Sequence, residues 1–157
     1  MSRRKSSCDK SRRLHIQLFD HLYEFDPKGD RLACAYCGDV RETIDHIPSI
    51  SVVAKVGTKQ LRKKGIKTIK VPCCRACNQE LGALHLATFE ERLGYLYDRL
   101  LRRTEKSSIW SPDELDELAG ELKRMIGAKQ EHIRREVLVR LRGMEKRLAS
   151  LEFLSVA

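Results

Sequence analysis

No stretch of this chain approaches the roughly 20 consecutive apolar residues that span a bilayer, so the sequence predicts no membrane-spanning helix and no membrane partner. Residues 1–13 hold six basic residues and one acid, Asp9, and lack the apolar segment of a secretory signal. Internal repeats are absent too, and the only low-complexity segment is that basic arm. These absences predict a soluble intracellular protein. Acids are scarce: 22 Asp and Glu face 31 Lys and Arg, for a net charge of +9. Such a balance suits a polyanionic partner, most often nucleic acid. Apolar residues are also few, at 41% against 34% charged. A core that small for 157 residues calls for a staple such as a metal.

What is present begins with six cysteines, which in a reducing compartment favour metal ligation over disulfides. Four of them form two Cys-x-x-Cys pairs, Cys34/Cys37 and Cys74/Cys77, separated by 36 residues. Zinc takes four ligands in a tetrahedron, and a two-residue spacer lets both sulfurs of a knuckle face one ion. Closed structural sites of this kind contribute about 10–16 kcal/mol of apparent binding energy. Cys73 competes with Cys74, and the symmetric spacing favours Cys74. Cys73 and Cys8 read as ordinary thiols.

The pattern predicts a mainly α chain with a small β-hairpin. Residues 14–25 fit a short amphipathic helix through Leu14, Leu18, Leu22 and Phe25. Leu32 to Asp39 reads as a strand, a knuckle and a turn, and a second strand ends near Asp45-His46, with Pro48 stopping it. Residues 51–70 hold seven Lys or Arg and no acid, and read as a long loop or irregular hairpin. A helix starts near Cys77-Asn78. Thr88 with Glu91 makes a capping-box pattern before a helix ending near Lys106. Ser111-Pro112-Asp113-Glu114 opens another, with a possible break at Gly127. The expected division is a basic arm and short helix over 1–31, a zinc-containing core over 32–106 and a helical C-terminal region over 107–157.

The insert between the knuckles contains Asp45-His46, and Asn78 follows the second knuckle at once. If zinc closes both pairs, the chain entering and leaving the insert is pinned together. An Asp and an Asn oxygen can then hold one Mg²⁺ or Mn²⁺, which stabilises charge on a phosphate and its leaving oxygen. A neutral His can take the proton from an attacking water. Strict strand alternation would point Asp45 and His46 to opposite faces, so both reach one phosphate only if the strand end is irregular. Lys55, Lys59, Arg62, Lys63, Lys64, Lys67, Lys70 and Arg75 read as a phosphate-tracking surface.

Three segments in this order, Cys34-Ala35-Tyr36-Cys37-Gly38, Thr43-Ile44-Asp45-His46-Ile47-Pro48 and Val71-Pro72-Cys73-Cys74-Arg75-Ala76-Cys77-Asn78-Gln79-Glu80-Leu81-Gly82, resemble the HNH nucleases of the His-Me finger (ββα-metal) superfamily. They are most similar to phage-type, zinc-containing HNH endonucleases of the recombination endonuclease VII kind. The resemblance covers roughly residues 32–100. It implies a zinc-stapled ββα core, His46 as general base, Asp45 and Asn78 as ligands of the catalytic metal, DNA as partner, and a bacterial or phage-infected cytoplasm. One departure stands out. The family carries a middle Asn that ties down the loop holding the base, and residues 47–73 contain no Asn; Thr68 is the nearest substitute. An alternative follows from it: a zinc-stabilised DNA-binding protein with an inactive nuclease centre. His85, two helical turns or about 10.5 Å of rise beyond Asn78, is too far along to share its ion and reads as structural or surface.

Residues 111–153 balance nine basic against nine acidic residues, which is not an obvious DNA footprint. Leu115, Leu118, Leu122 and Met125, then Val137, Leu141, Met144, Leu148 and Leu151, step by three and four as a helical seam does. The expected use is packing within the chain or in a homodimer, and an interaction protein using this tail is a third functional reading.

Overall fold

The computed structural model describes residues 7–82, 84–106 and 110–156. Helix α1 (Ser7–Phe19) leads through a 3-10 turn (Asp20–Leu22) into a short strand β1 (Glu24–Phe25). Then come β2 (Thr43–Ile47), α2 (Ile50–Val56), α3 (Thr58–Lys63), β3 (Ile69–Cys73), α4 (Arg75–Leu81), α5 (Phe89–Lys106), α6 (Pro112–Glu117) and α7 (Gly120–Val156). The chain is thus mainly helical with one small sheet, as expected. No helix among the described residues is long and apolar enough to cross a membrane.

These residues fall into two compact units. One takes the chain up to Ala35 and from Val40 to Arg92; the other takes Tyr36–Asp39 and the chain from Leu93 onward.

In the first unit the sheet order is β1-β3-β2. β2 pairs antiparallel with β3, from Thr43 opposite Cys73 to Ile47 opposite Ile69. β1 pairs parallel with β3, Glu24 opposite Ile69 and Phe25 opposite Lys70. The expected hairpin is therefore a three-stranded mixed sheet. Pro72 sits in the middle strand, yet only past the end of β1, where no neighbour needs its missing N–H. Its carbonyl instead accepts from Ala35 N at 2.8 Å.

Several sequence expectations are corrected here. Helix α1 starts inside the segment read as a basic arm, whose residues 1–6 lie outside the described residues, and it ends at Phe19. The two residues that would have finished the expected helix pair as β1 instead. The strand expected before the first knuckle is a single bridge, Ala33 with Val40. The acid-free stretch 51–70 is not a loop, because it holds α2 and α3. Counting charges hid their apolar faces: Tyr23, Val53 and Leu61 form a buried cluster covered by Phe19, Leu22, Ile50, Val52, Val56 and Ile66. Gly57, at φ 78°, makes the left-handed joint between the two helices.

In the second unit, α5 buries Leu93, Leu96 and Leu100, and α7 buries Val137, Leu141 and Met144. Tyr97 OH donates to Glu145 Oε1 at 3.2 Å between the two helices. Both expected helix starts are present. Glu91 and Thr88 exchange side-chain to backbone bonds, as do Ser111 and Glu114. The break expected at Gly127 falls instead between α6 and α7, where Gly120 has φ 57°. A glycine inside a long helix costs about 1 kcal/mol and does not end it. In the first half of the expected seam Leu115 and Leu118 are half-buried, while Leu122 and Met125 are 54% and 64% exposed.

Candidate functional site

The two knuckles converge. The sulfurs of Cys34, Cys37, Cys74 and Cys77 are all buried and lie within 4.8 Å of one another. A tetrahedral zinc with ~2.3 Å bonds to sulfur sets its ligands about 3.8 Å apart, so the donor set fits the ion. Local structure builds each half. Gly38, at φ 78°, turns the chain after the first pair. Cys74 is the N-cap of α4, its sulfur accepting from Cys77 N at 3.4 Å. Cys73 is left out: its thiol donates to the carbonyl of Cys74 at 3.3 Å. Cys34 beside it and burial hold that thiol protonated.

Asp45 and His46 lie on β2, whose register with β3 is regular through Ile47. The irregular strand end that would turn both toward one phosphate is not present, and the two side chains take opposite faces. Asp45 is buried, and Arg92 of α5 donates from Nη1 to both of its oxygens, at 2.7 and 2.8 Å. Arg92 Nε donates to the carbonyl of Leu86 at 3.1 Å, and among the described residues its Nη2 has no hydrogen-bond partner. Asn78 lies in α4 and donates from Nδ2 to Thr43 Oγ1 at 3.1 Å, on the Asp45 side of β2. A hydrated Mg²⁺ is bound through carboxylate oxygens and keeps several waters. Both Asp45 oxygens accept from the Arg92 guanidinium, so an ion there would have to share that carboxylate with Arg92 or displace it.

The other face of β2 is organised around His46. Its Nε2 lies 2.8 Å from Asp20 Oδ1, and Lys70 Nζ lies 2.6 Å from Asp20 Oδ2. The hydrogen bonds from Lys70 and His46 lower the pKa of Asp20, so it is a carboxylate and can only accept. Nε2 therefore carries a proton, and in the neutral ring the lone pair is on Nδ1. Tyr23 packs edge-on against the imidazole, with ring centroids 4.8 Å apart. Its hydroxyl donates to the carbonyl of Pro48 at 2.8 Å, and burial raises its pKa.

Of the expected phosphate-tracking residues, Lys55, Lys59, Arg62, Lys63, Lys64, Lys67 and Arg75 are exposed. Lys70 is half-buried and turned to Asp20. His85 is exposed. Sequence reasoning missed Asp20, Tyr23 and Arg92. Arg92 had a signal, a charge on the buried stripe of α5 beside Phe89, Leu93 and Leu96. Asp20 had none. No protein-family model, curated protein or solved structure matches the chain.

Proposed function

We propose that this chain is a DNA endonuclease of the HNH type, with zinc in the four-cysteine cluster and His46 as the general base. The observation that carries the reading is the order β2, β3, α4 closed by the cysteines, with His46 near the end of β2 and Asn78 in α4. The lone pair on His46 Nδ1 is the acceptor for a water proton as that water attacks phosphorus. The exposed cations of α2, α3 and the residues around them hold the DNA backbone. Asp45 and Asn78 are the residues proposed to take a Mg²⁺ or Mn²⁺, and in this reading the ion competes with Arg92 for Asp45.

A second reading is a zinc-stabilised DNA-binding protein that does not cut. The Asp45–Arg92 pair favours it, because that pair neutralises the carboxylate without a metal.

Nicking of a supercoiled plasmid in Mg²⁺ or Mn²⁺ separates the two. The first reading expects nicked circles from the wild type and none from His46→Ala, with zinc content and helicity unchanged. Asn78→Ala should lose the metal dependence or the activity. Retarded but intact plasmid under every divalent ion supports the second. Both expect binding to weaken steeply with salt, with a slope of about −0.9 per phosphate contact.

The balanced C-terminal helices are proposed to pair two copies of the chain. Leu122, Met125, Ile133, Leu138 and Val139 of α7 support this, since all five are exposed.

A further inference from the structure

We propose that Asp20 is the positioning residue of the catalytic base: it fixes the His46 ring so that Nδ1, not Nε2, faces the reaction. The proposal rests on the nuclease reading of the same site.

A general base must offer one defined nitrogen in one defined direction. An imidazole alone does neither, because it exchanges tautomers and rotates about its side-chain bonds. Here three contacts remove that freedom. Asp20 Oδ1 accepts a hydrogen bond from Nε2 at 2.8 Å. The edge of Tyr23 meets the ring at an interplanar angle of 82°. Tyr23 in turn is anchored on the carbonyl of Pro48, two residues past the base.

Asp20 is itself held. Lys70 lies opposite His46 in the β2–β3 register, and its ammonium takes the second carboxylate oxygen at 2.6 Å. Thr68 Oγ1 donates to the carbonyl of Leu22 at 2.8 Å, and Glu24 N donates to the carbonyl of Thr68 at 3.1 Å. These bonds lock residues 20–24 onto the start of β3. Thr68, the nearest substitute for the missing Asn, thus acts one step removed. It fastens the segment that carries Asp20, and Asp20 fastens the base. The tie comes from before the first knuckle, outside the stretch that carries the zinc ligands.

The test compares zinc-loaded wild type, Asp20→Ala and Asp20→Asn in plasmid nicking, with His46 followed by nitrogen-15 NMR. Asp20→Ala should lower kcat by about 10- to 100-fold, part of the ~10²–10⁴ that a positioned base supplies. KM for plasmid should stay within about twofold, because a tie to the base adds no ground-state contact to DNA. The Nε2 proton of His46, slow to exchange in the wild type, should exchange quickly in Asp20→Ala. Asp20→Asn keeps an acceptor oxygen and should recover part of both. Wild-type kcat in a folded Asp20→Ala would overturn the proposal and leave the nuclease reading standing. A wild type that nicks nothing in any divalent ion would overturn the nuclease reading and this one with it.

Discussion

Asp45 holds both of its carboxylate oxygens within 2.8 Å of one nitrogen of Arg92, and neither side chain is more than 7% exposed. Removing one member of a buried pair strands the other charge in a low-dielectric site, which costs about 3–5 kcal/mol. Arg92→Met should lower the unfolding free energy of zinc-loaded protein by that amount in urea. Arg92→Met combined with Asp45→Asn should recover most of it. A single-variant loss below about 1 kcal/mol would show that the two side chains are not paired in solution.

Cys73 and Cys74 are adjacent, and only Cys74 joins the four-sulfur cluster. Metal content measured after chelator challenge should distinguish them. Cys74→Ser should lose zinc quickly and unfold at lower temperature. Cys73→Ser should keep one zinc per chain, with the smaller cost of a polar group in a buried thiol site, about 1–3 kcal/mol. Equal zinc loss in both would place the ligand assignment in error.

Gly143 lies in the middle of α7, where an added Cβ would sit 1.9 Å from the carbonyl oxygen of Cys37. A backbone carbonyl cannot move aside as a side-chain end can. Gly143→Ala should therefore destabilise the protein despite alanine's higher helix propensity, by about 1–3 kcal/mol for overpacking. Gly127→Ala, with open space around it, should be neutral or stabilising by up to about 1 kcal/mol. Thermal unfolding of the two variants side by side checks both signs.

Leu122 and Met125 give a test of self-association. If α7 pairs two copies, light scattering at micromolar concentration should report a dimer, and Leu122→Lys with Met125→Lys should return the monomer without loss of zinc. A wild-type monomer at that concentration rejects the pairing.

How much of this was legible varied with range. Spacing of two residues named the cysteines, since ligation geometry is set within each knuckle. The helix starts at Thr88 and Ser111 were legible because a capping box is closed over three residues. Helices α2 and α3 were hidden by their charge, although Val53 and Leu61 sit on apolar faces. Arg92 was readable in retrospect as a charge among leucines. The Asp20–His46 contact spans 26 residues and two elements and leaves no local trace. The opposite facing of Asp45 and His46 follows from strand alternation, and it was legible in the sequence with an irregular strand end as the one condition that would change it.

The parallel pairing of β1 with β3 has a consequence for dissecting the protein. A fragment cut at Leu32 to isolate the cysteine core would leave β3 with bare amides and carbonyls along one side. Such an exposed border templates the addition of foreign strands. The fragment would lose the strand partner Glu24–Phe25 and the Tyr23 that packs with Val53 and Leu61, and its insolubility would then say nothing about its chemistry.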